Sequence, residues 1–294
     1  METDVLIIGC GPAGLQAAIH ASRRKCSVLV VGKGRNSSIA GTHLDNYFGT
    51  GVTEGDAILE EGRRQAEATG AVFREENVIS SAAVDGGFSF KLESGEEVVS
   101  KSVVIATGVS RTKLGIPGEK DLYGKGVSYC AICDCNFYRG RRVVIVGNES
   151  EAAVSAEMMT NYASETSWVA WDITANASLV ERAEAAGVTM YSSKPDRVEG
   201  DGKVERLVLK DGTVIPTDGV FIELGAKSAA DIAMDLGVMP EMDDSIKVGR
   251  DCSTEVPGVY ACGDVTGKPW QVAKAVGEGC IAGLSAAEHA GCGQ

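Results

Sequence analysis

Residues 5–14, Val-Leu-Ile-Ile-Gly-Cys-Gly-Pro-Ala-Gly, leave this chain few folds to choose from. Val5 to Ile8 is a short apolar run of the kind that forms a strand buried on both faces. Glycines follow at 9, 11 and 14, then a helical stretch to about Arg24, then a second apolar run, Val28 to Val31. This is a βαβ unit with a dinucleotide fingerprint in its first turn. Gly9 allows the tight turn, Gly11 lets backbone approach a pyrophosphate, and Gly14 lets helix pack closely on strand. The helix N-terminus then faces the phosphates. The acidic residue often found at the end of the second strand is absent, and Gly32 stands there. Ribose contacts must then come from the loop Lys33 to Ile39.

A second strand-turn-helix unit begins at Arg142-Val143-Val144-Ile145-Val146-Gly147, with a helix to about Tyr162 and a strand near Trp168. The chain therefore holds a diverged internal repeat. Between the two units lie a helix over about 55–69, a strand at Phe88–Leu92 with period-two alternation, and a buried strand at Val103–Ala106 ending in Thr107-Gly108. Asn46-Tyr47-Phe48-Gly49 reads as a loop with its two aromatics packed beneath it. Turn residues gather from Arg111 to Gly118, which marks a domain linker. Strands at 204–209 and 220–224 complete the second unit. Near Gly225 the chain crosses back, and the strand at Gly258–Ala261 delivers Gly263 and Asp264 to the sheet edge. Trp270-Gln271-Val272 opens a final helix. The fold class expected is α/β: two Rossmann-like dinucleotide-binding domains, three-layered with parallel sheets, the second inserted into the first. The boundaries fall at 1–112, 113–228 and 229–294.

Cys130-Ala131-Ile132-Cys133-Asp134 carries the chemistry. Two thiols separated by two residues, on the first turn of a helix, can cycle between dithiol and disulfide. Asp134 offers a carboxyl to move the proton that a thiolate gains or loses. Zinc would want a second ligand pair at close spacing. Cys252 and Cys262 are too far apart to supply it, and His20, His43 and His289 are scattered.

Nine cysteines, odd in number and widely spread, are not a secreted disulfide framework. No apolar run approaches the ~20 residues that cross a bilayer. Met1 is followed almost at once by a strand, which leaves no room for a targeting segment, so the expected setting is a reducing cytoplasm. A net charge of −13 argues against nucleic acid and anionic membrane as partners.

With these pieces placed, the chain resembles the low-molecular-weight thioredoxin reductases, flavoprotein disulfide reductases with two dinucleotide domains. The carriers are Gly-Cys-Gly-Pro-Ala-Gly at 9–14, Ala106-Thr107-Gly108, Cys130-Ala131-Ile132-Cys133-Asp134 and Gly263-Asp264-Val265. The resemblance implies an FAD domain made of both chain ends, an inserted NADPH-type domain and a homodimer. It implies FAD contacts from Gly9, Gly11, Pro12, Ala13, Gly14, Gly32, Asn46, Val78, Ala106, Thr107, Gly108, Gly263, Asp264, Gln271 and Val272. Cys133 would lie against the flavin, Cys130 would attack the disulfide of a thioredoxin partner, and Asp134 would be the acid/base. Cys135 stands where the family usually has Gly, and reads as a small buried hydrophobe.

The second nucleotide turn departs from that pattern. It reads Gly147-Asn148-Glu149-Ser150-Glu151-Ala152. Glu149 replaces a glycine and repels phosphate, at a cost of about 1 kcal/mol even in water. The arginine pair that would clamp a 2′-phosphate is replaced by Ala170-Trp171-Asp172. The chain therefore looks most like the ferredoxin-dependent flavin thioredoxin reductases, with reduced ferredoxin as donor. Ferredoxins are usually acidic, so a local basic patch is needed. Candidates are Arg23-Arg24-Lys25, Lys33 with Arg35, Arg111 with Lys113, and Arg139 with Arg141-Arg142. Three other readings stand beside this one: an NAD(P)H-dependent reductase of atypical site, using NADH through Asp172; a diflavin-type disulfide oxidoreductase; and a non-catalytic flavin redox sensor.

Overall fold

A computed structural model describes every residue except 110–112, 226 and 294, and every side chain except those and Cys133. The chain divides into two units, Met1–Ser110 with Lys227–Gln294, and Arg111–Ala226.

In chain order the first unit opens with β1 (Glu2–Ile8), α1 (Pro12–Arg23), β2 (Val28–Val31), a small hairpin of β3 (His43–Leu44) and β4 (Thr53–Glu54), and α2 (Gly55–Ala68). Then come β5 (Val72–Arg74), β6 (Val78–Val84), β7 (Gly87–Leu92) and β8 (Glu97–Ile105). The second unit holds β9 (Val127–Ser128), α3 (Ala131–Asp134), β10 (Arg142–Val146), α4 (Ser150–Met159), β11 (Glu165–Val169) and α5 (Ala177–Ala185). It continues through β12 (Thr189–Tyr191), β13 (Pro195–Glu199), β14 (Arg206–Leu209), β15 (Val214–Pro216) and β16 (Gly219–Ile222). The chain returns to the first unit with α6 (Ala229–Asp235), β17 (Val259–Ala261) and α7 (Val272–His289).

The first unit is built on a seven-stranded sheet, ordered β5-β2-β1-β8-β7-β6. The expectation of a parallel sheet holds only for part of it. β5, β2, β1 and β8 run parallel, whereas β8, β7 and β6 form an antiparallel meander. The sheet is mixed because β8 is long. Its first half pairs with β7, and its second half, Val103–Ile105, pairs in parallel with β17 on the same edge. Burial follows from the apolar runs: Val5 to Ile7, Leu29 to Val31 and Val103 to Ile105 are fully buried. One face of this sheet packs against α1 and α7, the other against α6.

The second unit has a five-stranded parallel sheet, β12-β11-β10-β16-β9, and a three-stranded antiparallel sheet, β13-β14-β15. Trp168, Met159 and Phe221 lie at the centre of its larger core cluster and are fully buried. Among the described residues, no helix is long and apolar enough to cross a membrane.

Candidate functional site

In the first unit, the predicted binding residues gather at the carboxyl ends of adjacent parallel strands, where open α/β sheets hold their ligands. β1 runs into Gly9, β2 into Gly32, β8 into Ala106-Thr107-Gly108, and β17 into Cys262-Gly263-Asp264. Gly9 has φ +114°, and a Cβ there would overlap the Ala106 carbonyl. Only glycine fits that turn. A Cβ on Gly11 would meet only the Ser37 hydroxyl, at 3.4 Å, so its backbone is open to a ligand. Gly11 caps α1, Pro12 occupies the first turn, and no side chain caps the helix end. Its backbone N–H groups are thus left for an anion.

Two further observations fit a dinucleotide in this cradle. The Thr107 hydroxyl is buried and has no hydrogen-bond partner, and a buried polar atom of that kind points to a missing partner. Asn46 and Gln271 meet across 225 residues, the Asn46 amide donating to the Gln271 carbonyl at 3.0 Å. Asn46 is exposed, and Phe48 is 98% exposed. Phe48 is therefore not packed beneath the loop, whereas Tyr47 is partly buried. The Val78 side chain is buried in the core with Ile8, Leu29 and Val31.

Sequence reasoning missed what holds Asp264. Lys274 donates to the Gly263 carbonyl (2.8 Å) and the Thr266 hydroxyl (2.7 Å). Glu278 accepts from the Gly263 N–H and the Thr266 hydroxyl, both at 2.8 Å. This i,i+4 pair on α7 grips the turn that presents Asp264. Burial raises the Asp264 pKa; Lys274 opposes the shift and Glu278 adds to it. A carboxylate in that state favours a hydroxyl donor, such as a ribityl group.

The second unit builds the dithiol. Cys130 is buried and disulfide-bonded, and α3 begins at the next residue. Ser128 donates to Asp134 at 2.7 Å and accepts from the Cys130 N–H at 3.1 Å. One hydroxyl therefore ties the acid to the first cysteine. Tyr138 is half-buried, and its pKa is raised by burial and then by the Asp134 charge. Cys135 is free, buried, and donates to the Ile132 carbonyl; a packing role is enough to account for it. Burial also pushes the Cys10 and Cys252 thiols up to about 11. Both stay protonated and unreactive near neutrality.

Glu223 was not legible as a site residue. It follows a buried strand and is 9% exposed, and its carboxylate accepts from the Ala131 N–H at 2.8 Å. It thus anchors the start of α3 beside Cys130. Glu223→Gln keeps an acceptor and removes a charge. We expect it to preserve turnover while moving the thiol limb of the pH–rate profile toward lower pH, by a few tenths to about one unit. Glu223→Ala leaves the N–H bare and should lower kcat at every pH. An unmoved profile in Glu223→Gln would mean the carboxylate acts by position alone.

The turn at the head of α4 is closed by its own chain. The Asn148 side chain accepts from the Trp171 and Asp172 N–H groups (3.0 and 3.2 Å), and its carbonyl accepts from those of Thr174 and Ala175 (2.8 and 3.0 Å). Ser150 accepts from the Asn176 N–H at 3.0 Å. Trp168 donates to the Gly147 carbonyl at 2.8 Å from within the core. The loop after β11 is bound to the turn after β10 where a second dinucleotide would need both.

The profile of the family described as "Pyridine nucleotide-disulphide oxidoreductase" matches residues 3–279. A thioredoxin reductase from Listeria innocua is 30% identical over 97% of this chain and 93% of its own length. The crystal structure of the atypical thioredoxin reductase TRi from Desulfovibrio vulgaris Hildenborough superposes with a TM-score of 0.84 at 37% identity, over 98% of both chains. A ferredoxin-flavin thioredoxin reductase from Clostridium acetobutylicum gives 0.68 at 34% identity, over 98% of this chain and 97% of that one. A cradle shaped for one dinucleotide and a dithiol on a short helix are what that family requires, and the chain belongs to it as an FAD-binding disulfide reductase of the thioredoxin reductase type.

Proposed function

We propose that this enzyme reduces thioredoxin with electrons taken from reduced ferredoxin rather than from NADPH or NADH. The observation that carries the choice of donor is the closed turn at Asn148. A pyridine nucleotide would have to displace the hydrogen bonds that tie residues 171–176 to it, and would then meet Glu149. Asp172 is exposed, but its backbone is part of that closure. The similarity to the Clostridium acetobutylicum ferredoxin-flavin thioredoxin reductase supports the same reading.

Among the basic candidates, Lys33 is paired with the buried Glu93 at 3.0 Å, and Arg142 with Asp218. Lys33 is thereby held within its own unit, whereas Arg142 keeps part of its side chain exposed. Arg111 lies outside the described residues. Arg35 is exposed on the loop after β2, at the cradle end, and offers an acidic ferredoxin a contact; the exposed run Arg23, Arg24 and Lys25 lies at the other end of α1.

FAD supplies the exchange between one-electron and two-electron chemistry, and the residues of the first unit's cradle would hold it. In the second unit, the Cys130 thiolate attacks a sulfur of the thioredoxin disulfide. A mixed disulfide forms and the departing thiolate takes a proton. Asp134, held by Ser128, moves that proton. Cys133 then closes the Cys130–Cys133 disulfide and releases the second thioredoxin thiol. Ile132 and Phe137, both exposed, offer apolar contact to the protein substrate. The enzyme works as a homodimer.

Anaerobic titration of the purified holoenzyme, following the visible flavin band, tests the donor. Reduced ferredoxin should bleach it; NADPH and NADH at micromolar concentration should not. Asn148→Gly with Glu149→Gly and Asp172→Arg should then speed bleaching by NADPH at least tenfold. Rapid bleaching of the unaltered enzyme by either nucleotide would overturn the proposal.

A further inference from the structure

The nine cysteines give no sequence sign of a second pairing, yet Cys26 and Cys292 form a disulfide within the first unit, with Cα atoms 5.5 Å apart. Its setting is built rather than incidental. α1 and α7 run side by side in parallel. Cβ atoms on Gly279 and Gly283 would overlap the Ala13 and Ala17 carbonyls, so the two helices touch backbone to backbone. The same offset of 266 residues that separates these pairs also separates Cys26 from Cys292.

Both helices also end alike. After α1, Lys25 takes a left-handed φ of 64° and its N–H donates to the Ser22 carbonyl. After α7, Gly291 takes φ 78° and donates to Glu288, while Cys292 donates to Ala287. Each helix thus closes with a left-handed residue after its cap, as helix ends commonly do, and each places a cysteine next. The N-terminal ends of the same two helices carry the fingerprint and Gln271-Val272. The disulfide therefore joins the pair at the end opposite the cradle.

We propose that Cys26–Cys292 is a second redox site, a clamp on the FAD-bearing helix pair that a protein dithiol of the thioredoxin class opens. Cys26 is 7% exposed and Cys292 is half-buried between two exposed glycines, which makes Cys292 the more accessible of the two to an incoming thiolate. Attack there forms a mixed disulfide, and Cys26 leaves and takes a proton. The partner's second thiol then displaces Cys292 as a thiol. The partner ends as a disulfide and the clamp as two thiols. With the clamp open, α1 and α7 keep only their packing, and the holoenzyme gives up FAD more readily. The choice of reductant rests on the proposed thioredoxin activity; the clamp does not, and its test involves neither ferredoxin nor pyridine nucleotide.

The test uses the Cys130→Ser/Cys133→Ser holoenzyme, in which the clamp is the one remaining disulfide. Treatment with dithiothreitol should raise the thiol count of the denatured protein by two, from the five free cysteines. It should also lower the temperature at which flavin fluorescence appears, by about 5–15 °C. Adding Cys292→Ser should set that lower temperature from the start and abolish the response. Reduced thioredoxin should reproduce the effect of dithiothreitol. An unchanged thiol count, or reduction without a shift in FAD release, would overturn the clamp. Opening by dithiothreitol but not by reduced thioredoxin would overturn the proposed reductant.

Discussion

Cys130→Ser should remove thioredoxin-disulfide reduction to below about one thousandth of the unaltered rate while the protein stays yellow. A serine hydroxyl ionises far above neutral pH, so it cannot make the thiolate attack that the exchange needs. The separation of effects follows from the domain division. Cys130 belongs to the unit 111–226, whereas the cradle of Gly9, Thr107, Asp264 and Gln271 belongs to the other. Cys135→Ser is the built-in comparison. That thiol is buried and donates to the Ile132 carbonyl, a bond a hydroxyl can also make. Its loss should trim stability by about 1 kcal/mol and leave most turnover intact. Activity is read with a thioredoxin disulfide substrate, and FAD content from the visible spectrum. Turnover surviving in Cys130→Ser, or lost in Cys135→Ser, would mean that the attacking cysteine has been misassigned.

Gly279→Val should yield apoprotein, or protein melting at least 10 °C lower. Position 279 faces the Ala13 carbonyl so closely that any side chain must push α1 away. α1 begins at the fingerprint, so the displacement reaches Gly11 and the anion-binding end of the helix. Overpacking of this kind costs about 1–3 kcal/mol even where side chains can give, and here the obstacle is backbone. Gly277→Ala, two residues earlier on the same helix, separates this from helix propensity. A Cβ there meets nothing within 4 Å, so alanine should leave FAD bound and raise stability by up to about 1 kcal/mol. Flavin content and a thermal melt of the two variants, side by side, check both halves.

What the sequence made legible was local. The strand Val5–Ile8, the turn at Gly9 and the start of α1 depend on residues near one another in the chain, and backbone sterics make their meaning nearly unique. The same holds for Cys130-Ala131-Ile132-Cys133. What escaped depends on distant partners. Glu223 follows a buried strand, and nothing near it tells that its carboxylate meets the start of α3. Cys26 and Cys292 find each other only through the register of two glycine-mediated helix contacts. Asn46 and Gln271 were selected by family resemblance, and only tertiary structure shows that they touch. The strand at Phe88–Leu92 was legible in its alternation, but its place in an antiparallel meander attached to a parallel sheet was not. That attachment depends on β8 being long enough to serve two neighbours.

The divided edge of β8 bears on how the protein is made. As the chain leaves the ribosome, β7 covers the first half of β8 almost at once, since the two are joined by a short turn. The second half, Val103–Ile105, waits for β17 while the whole inserted unit is synthesised. An unpaired, wholly apolar strand edge is then open to any other nascent chain. The nascent enzyme therefore depends on the inserted unit folding promptly and on its own tail arriving before a neighbour's. Refolding from denaturant should be slow and concentration-sensitive for the same reason, because closing the sheet requires a contact between residues far apart in the chain.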